Sequence, residues 1–252
     1  MALPDVENGR GAFSTVGKDN GERYYIYVPG KPEDGSTPTI NDNYQAVHLG
    51  VKAIQARINS YNYSPALIVD GTYGPKTVSG VEWIQVKLGF TGNNVDGITG
   101  PGTCRALWRD LLIWFGGVHH VPASQLYGFM MLESVGDPGA LGFVSPADRG
   151  LNQINEKAHP DISDEQAFSP PFSIEYTTKR LGIARTEFSG KSVELKNYCA
   201  IAQHNSPVAA EIWYRDGKPP LGPVIYQGKT WPGWPNIQKY VYSVLTYAAN
   251  FK

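Results

Sequence analysis

"VDGTYGPKT" at residues 69–77 returns as "VDGITGPGT" at 95–103, and the reading of this pair decides how the middle of the chain folds. In each copy Asp-Gly makes a tight turn and the next glycine admits a positive φ. Proline then stands where a helix begins, because its missing N–H would be unpaired there anyway. Asp70 and Asp96 stand 26 positions apart, too short for a solenoid repeat but suited to two turns inside one small bundle. Working outward, Val47, Val51, Ile54 and Ile58 recur at helical spacing and define one apolar face ahead of the first turn. A second helix is predicted over Pro75–Leu88, with Val78, Val81, Ile84 and Leu88 inward and Gly89 as its stop. A third opens near Pro101 and carries Cys104, Leu107 and Leu111.

The rest of the chain is read around this bundle. Its 252 residues can hold one large domain or two small ones, each with room for a core. Hydrophobic residues are 41% and charged residues 18%, the balance of a folded chain rather than a disordered one. A formal net charge of −1 gives no reason to expect a nucleic-acid partner, which would call for a basic face. Cys104 and Cys199 lie far apart and match no metal spacing; buried free thiols are expected, with a bridge as the alternative. The start, "MALPDVENGR", lacks the basic and apolar regions of a signal peptide, and no apolar run approaches the roughly 20 residues of a bilayer span. Residues 1–43 read as an arm and linker, with one short strand expected at Tyr24–Val28.

"VKAIQARI", "DGTYGPKTVSGVEWIQ" and "DGITGPGTCRALW" resemble the Q-x-x-L, D-G-x-x-G-P-x-T and F-Q elements of the peptidoglycan-binding-domain-1 family. The resemblance covers about residues 44–110, with Trp83 where that family usually carries Phe. It implies a three-helix module that holds bacterial cell wall without cutting it. The turn residues Asp70, Gly71, Gly74 and Pro75 identify such a module but would be needed for folding alone, so they do not locate a ligand groove.

Downstream, a helix from about Pro122 to Ser134 is predicted to carry Leu126, Phe129, Met130 and Glu133 on one face. A carboxylate kept against apolar side chains resists ionisation and so retains a proton to donate. "ES" followed by Pro138, Ala140, Ser145 and "GLNQIN" resembles the soluble lytic transglycosylase and goose-type lysozyme group, as do "AIAQHNSP" at 200–207 and "IQKYVYSVL" at 237–245. With the wall-binding module in front, the assembly resembles modular phage endolysins.

The fold expected is mainly α. A short strand-bearing arm (1–43) leads into a three-helix wall-binding module (44–115) and an α-helical lysozyme-like domain (116–252). The resemblance implies Glu133 as catalytic acid, Ser145 as an orienting partner, and Gln153, Asn155, Asn205 and Tyr240 as substrate-binding residues. Neutral amides suit a pyranose chain because they both donate to and accept from hydroxyl and acetamido groups. The departures are Asn152 for the family's methionine, His204 for its tyrosine, and Ser206-Pro207 for Ala-Gly.

The bond expected to break is the β-1,4 link after N-acetylmuramic acid. Hydrolysis with inversion needs a second carboxylate as base; without one, the sugar's own 6-hydroxyl closes a 1,6-anhydro ring. Asn155 cannot serve as base, Asp137 before proline reads as a turn former, and Asp148 beside Arg149 reads as salt-bridged or as the possible base. Lytic transglycosylase is therefore favoured over hydrolase. Trp231 and Trp234 are placed either to stack on sugar or to anchor a loop. His119, His120 and His159 show no zinc-site spacing, so neither metal nor cofactor is expected. The expected partner is bacterial peptidoglycan, met by a monomer without stable membrane association. Such a protein would wait in the host cytoplasm until lysis. A wall-binding or virion structural protein that retains the scaffold is the competing class, and loss of the acid would be its mark.

Overall fold

The computed structural model describes residues 18–19, 22–23, 42–141 and 148–251. Among these the chain is mainly helical, as the sequence predicts. The strand expected at Tyr24–Val28 lies outside the described residues; in the arm, β1 (Lys18–Asp19) pairs antiparallel with β2 (Glu22–Arg23). No helix among the described residues is long and apolar enough to cross a membrane.

The chain divides into two compact units, Met1–Asp110 with Glu133–Ser173, and Leu111–Leu132 with Ile174–Lys252. The first is built on α1 (Asp42–Ser60), α2 (Pro75–Lys87) and the opening of α3 (Pro101–Val118). Val51, Ile54 and Ile58 are fully buried along α1, as their spacing predicts, while the side chain of Val47 lies outside those described. Pro75 opens α2, and Gly89 follows its cap with φ +90°, the left-handed stop expected of it.

The duplicated turns owe their form to two glutamines. Gln55 Nε2 donates to Asp70 Oδ1 (2.9 Å), Thr72 O (3.0 Å) and Thr77 Oγ1 (3.1 Å), while its Oε1 accepts from the Gly71 N–H (2.9 Å). Gln85 repeats the set with Asp96 Oδ1 (2.8 Å), Ile98 O (3.0 Å), Thr103 Oγ1 (3.0 Å) and the Gly97 N–H (3.0 Å). Each buried carboxamide thus satisfies one whole turn and is satisfied by it. Gly71 and Gly97 hold φ of +77° and +70°, which is why glycine follows each aspartate.

Residues Glu133–Ser173 complete this unit. They carry the antiparallel pair β3 (Asp148–Arg149) and β4 (Ile154–Asn155), α5 (Asp164–Ala167) and the start of α6 (Pro170–Glu187). Their first loop packs on the bundle with no side chain between. A Cβ at Gly50 of α1 would stand 2.8 Å from Gly139 Cα, and one at Gly139 would stand 2.8 Å from Ala46 O. The Trp108 indole N–H, fully buried on α3, donates to Gly136 O at 3.0 Å.

The second unit centres on α4 (Ala123–Glu133), α7 (Val193–Asn205), α8 (Pro207–Asp216) and α9 (Ile237–Ala248). One apolar face was expected on α4, yet every residue from Gln125 to Met131 is buried, because neighbours enclose the helix all round. Gly128 lets α9 approach so closely that a Cβ there would run into Val244 O. Ser206 caps α8 through Ala209 N–H (3.3 Å) and Pro207 takes its first position, so the Ser-Pro departure restarts a helix. A hairpin of β5 (Val224–Tyr226) and β6 (Lys229–Trp231) leads toward α9.

Candidate functional site

Glu133 is the last residue of α4 and is half-buried. The helix stops there because Val135 (φ +58°) and Gly136 (φ +91°) turn left-handed in succession. Ser134, which sequence reasoning left without a role, is buried and anchors the turn. Its Oγ donates to Leu151 O at 2.7 Å and accepts from Gly136 N–H at 3.2 Å. The residue next to the carboxylate is thereby tied to the loop that bears Gln153. The "ES" pair was the available signal, but nothing in it named Leu151 as the partner.

Gln153 sits at φ +52° and turns its amide into its own loop, Nε2 donating to Gly150 O (2.9 Å) and Ala140 O (3.3 Å). Asn152, at the family's methionine position, is buried and donates through Nδ2 to Ser173 O at 3.1 Å, so this departure fastens the loop to the first turns of α6. Asp148 and Asn155 face each other across the β3–β4 pair, and Asn155 Nδ2 donates to Asp148 Oδ1 at 2.6 Å. The expected salt bridge between Asp148 and Arg149 is not formed. The Arg149 guanidinium points inward instead, pairing with Asp164 at 2.6 Å and donating to Ile162 O at 3.2 Å. Adjacent residues on a strand project to opposite faces, which separates Asp148 from Arg149. Asp137 is buried and accepts from Gly139 N–H at 2.7 Å, the turn-forming role its sequence suggests.

Glu133, Asp148, Gln153 and Asn155 therefore belong to the first unit, and Asn205 and Tyr240 to the second. Ser145 lies outside the described residues. In the second unit Phe129 packs edge-on against the His204 ring at 5.0 Å and lies 6.5 Å from the Tyr240 ring, while Asn205 is exposed at the end of α7. Trp231 and Trp234 stack on each other at 5.7 Å and 24°. Both cysteines are free and buried; burial raises both thiols, Cys104 well above its ordinary value and Cys199 to about 12.

Residues 48–107, the bundle with both glutamine-clamped turns, match the family model described as a peptidoglycan binding domain. This segment is thus similar to a peptidoglycan-binding module, and the match suggests an association with cell wall. Comparison with curated proteins returns no match.

Proposed function

We propose that this chain also cuts the wall it binds, as a lytic transglycosylase acting on the β-1,4 bond between N-acetylmuramic acid and N-acetylglucosamine. Glu133 donates its proton to the bridging oxygen as the C1–O bond breaks. The muramoyl 6-hydroxyl then attacks C1 and returns its proton to the Glu133 carboxylate, leaving a 1,6-anhydro end and a restored acid. The observation that carries the reading is the placement of Glu133, half-buried at the end of a helix whose core is enclosed and braced by the Ser134–Leu151 bond. The two other carboxylates between Glu133 and Gln153 support transfer over hydrolysis. Asp137 is taken up in a turn, and Asp148 is hydrogen-bonded to Asn155, so neither is poised as a base for water. A wall cutter of this design fits release of phage from a bacterial host, with the binding module raising its concentration at an insoluble polymer.

The test is clearance of purified peptidoglycan with mass spectrometry of the released fragments. Wild type should release 1,6-anhydro muropeptides. Glu133→Gln should release fewer by about a hundredfold or more, the usual scale for a lost general acid, while still pelleting with wall. Fragments with reducing muramic acid ends would instead mark a hydrolase with Asp148 as base. Equal clearance by both proteins would remove Glu133 from the mechanism, and clearance by neither would leave a wall-binding protein.

A further inference from the structure

The turn that carries the chain away from Glu133 is held from two directions. From its own segment, the Ser134 Oγ donates to Leu151 O at 2.7 Å and accepts the Gly136 N–H at 3.2 Å. From α3, the Trp108 indole N–H donates to Gly136 O at 3.0 Å. Trp108 is fully buried, and Cys104, one helical turn earlier on the same face of α3, is buried too. The turn lies directly on that face: a Cβ at Gly136 would stand 3.2 Å from Cys104 Cβ and 3.6 Å from Arg105 N. Cys104 and Arg105 fall inside the matched stretch 48–107, and Trp108 is the residue after it.

What needs holding is Val135. It sits at φ +58°, a conformation that a β-branched residue keeps only under constraint. Packing of its own side chain does not supply that constraint, because Val135 is 44% exposed. The bonds at Ser134 and Gly136, on either side of it, do. Were Val135 to relax, the chain would leave α4 in another direction and the setting of the Glu133 carboxyl would change with it. A general acid must stand within hydrogen-bond reach of the oxygen it protonates, and a misplacement of about 1 Å can cost roughly a hundredfold in rate. We infer that Trp108 is a positioning residue for Glu133: by fixing Gly136 O it keeps Val135 left-handed and so aims the acid. The inference rests on the reading of Glu133 as the acid, and adds that the third helix of the bundle belongs to the cutting scaffold and is more than a tether.

The full-length chain and its variants would be assayed on soluble, uncrosslinked peptidoglycan strands, with kcat and KM resolved and folding followed by thermal melts. Trp108→Phe keeps the ring and loses the donor. Its kcat should fall about tenfold or more while KM stays within about twofold, since aim is lost and binding is not. Val81→Ala, a truncation in the core at α2, should lower the melting temperature yet keep the wild-type kcat in the folded range. Val135→Gly lets the turn go left-handed without being held, so in that background Trp108→Phe should cost less than about threefold. The inference is overturned if Trp108→Phe keeps the wild-type kcat, if Val81→Ala loses as much, or if Val135→Gly leaves the loss at full size. Glu133→Gln in the same assay separates the two failures. If wild type cuts, Glu133→Gln does not and Trp108→Phe is unimpaired, the positioning role alone is lost. If wild type cuts nothing, or Glu133→Gln cuts as fast, the acid falls and the role of Trp108 with it.

Discussion

Gln55 and Gln85 show how much of a turn one side chain can organise. Replacing Gln85 by Leu takes the acceptor from the Gly97 N–H and the amide donor from the Asp96 carboxylate inside the bundle, and should cost about 2 kcal/mol, measurable as a shift in the urea midpoint. Asp70 feels the same clamp. The Gln55 amide above all, and then the Thr72 N–H, hold its carboxyl below the ordinary aspartate range. A carboxylate lowered in the folded state adds stability above its unfolded pKa, and that stability drains away as pH falls through the folded value. Asp70 is exposed, so the effect is modest. In acid melts, Asp70→Asn should flatten the decline of Tm below about pH 4, the ordinary aspartate range, relative to wild type. The cysteines supply a third check: native protein should give no colour with Ellman's reagent, and unfolded protein should react at both positions.

Helix α1 is where sequence periodicity and close packing meet. Val51, Ile54 and Ile58 are legible as a buried face because a period of 3.6 leaves its mark on composition. Gly50, one residue earlier, is not legible in the same way: a glycine inside a helix reads as a weakness, and only its contact with Gly139 explains it. Gly50→Ala would otherwise favour the helix, but here it should destabilise by about 1–3 kcal/mol through overpacking against backbone. Thermal melts would show the sign. On α4, the predicted span, Pro122 to Ser134, agrees with the observed Ala123–Glu133 to within a residue at each end, whereas enclosure on all sides does not follow from spacing. The loop chemistry is the least readable. The sequence suggests Gln153 and Asn155 as sugar-binding amides but not their bonds inside the loop, since short-range bonds to carbonyls and to Asp148 depend on backbone geometry that composition does not encode.

At the scale of the molecule, the matched module and the segment after Glu133 share one interior. Trp108 is central to it. Trp108→Phe keeps the ring but removes the donor to Gly136 O, and should raise amide exchange across 136–140 while α2 amides stay protected. A chain shortened to begin at 116 should fail to give a cooperative melt, because residues 133–173 would lose the surface on which they fold. The backbone seam at Gly50 and Gly139 sets a condition on protein engineering. Anyone building chimeras by exchanging residues 48–107 for a foreign wall anchor must supply a glycine at the matching helical position. Without one, the graft and its new host would be held apart by the width of a single methyl group.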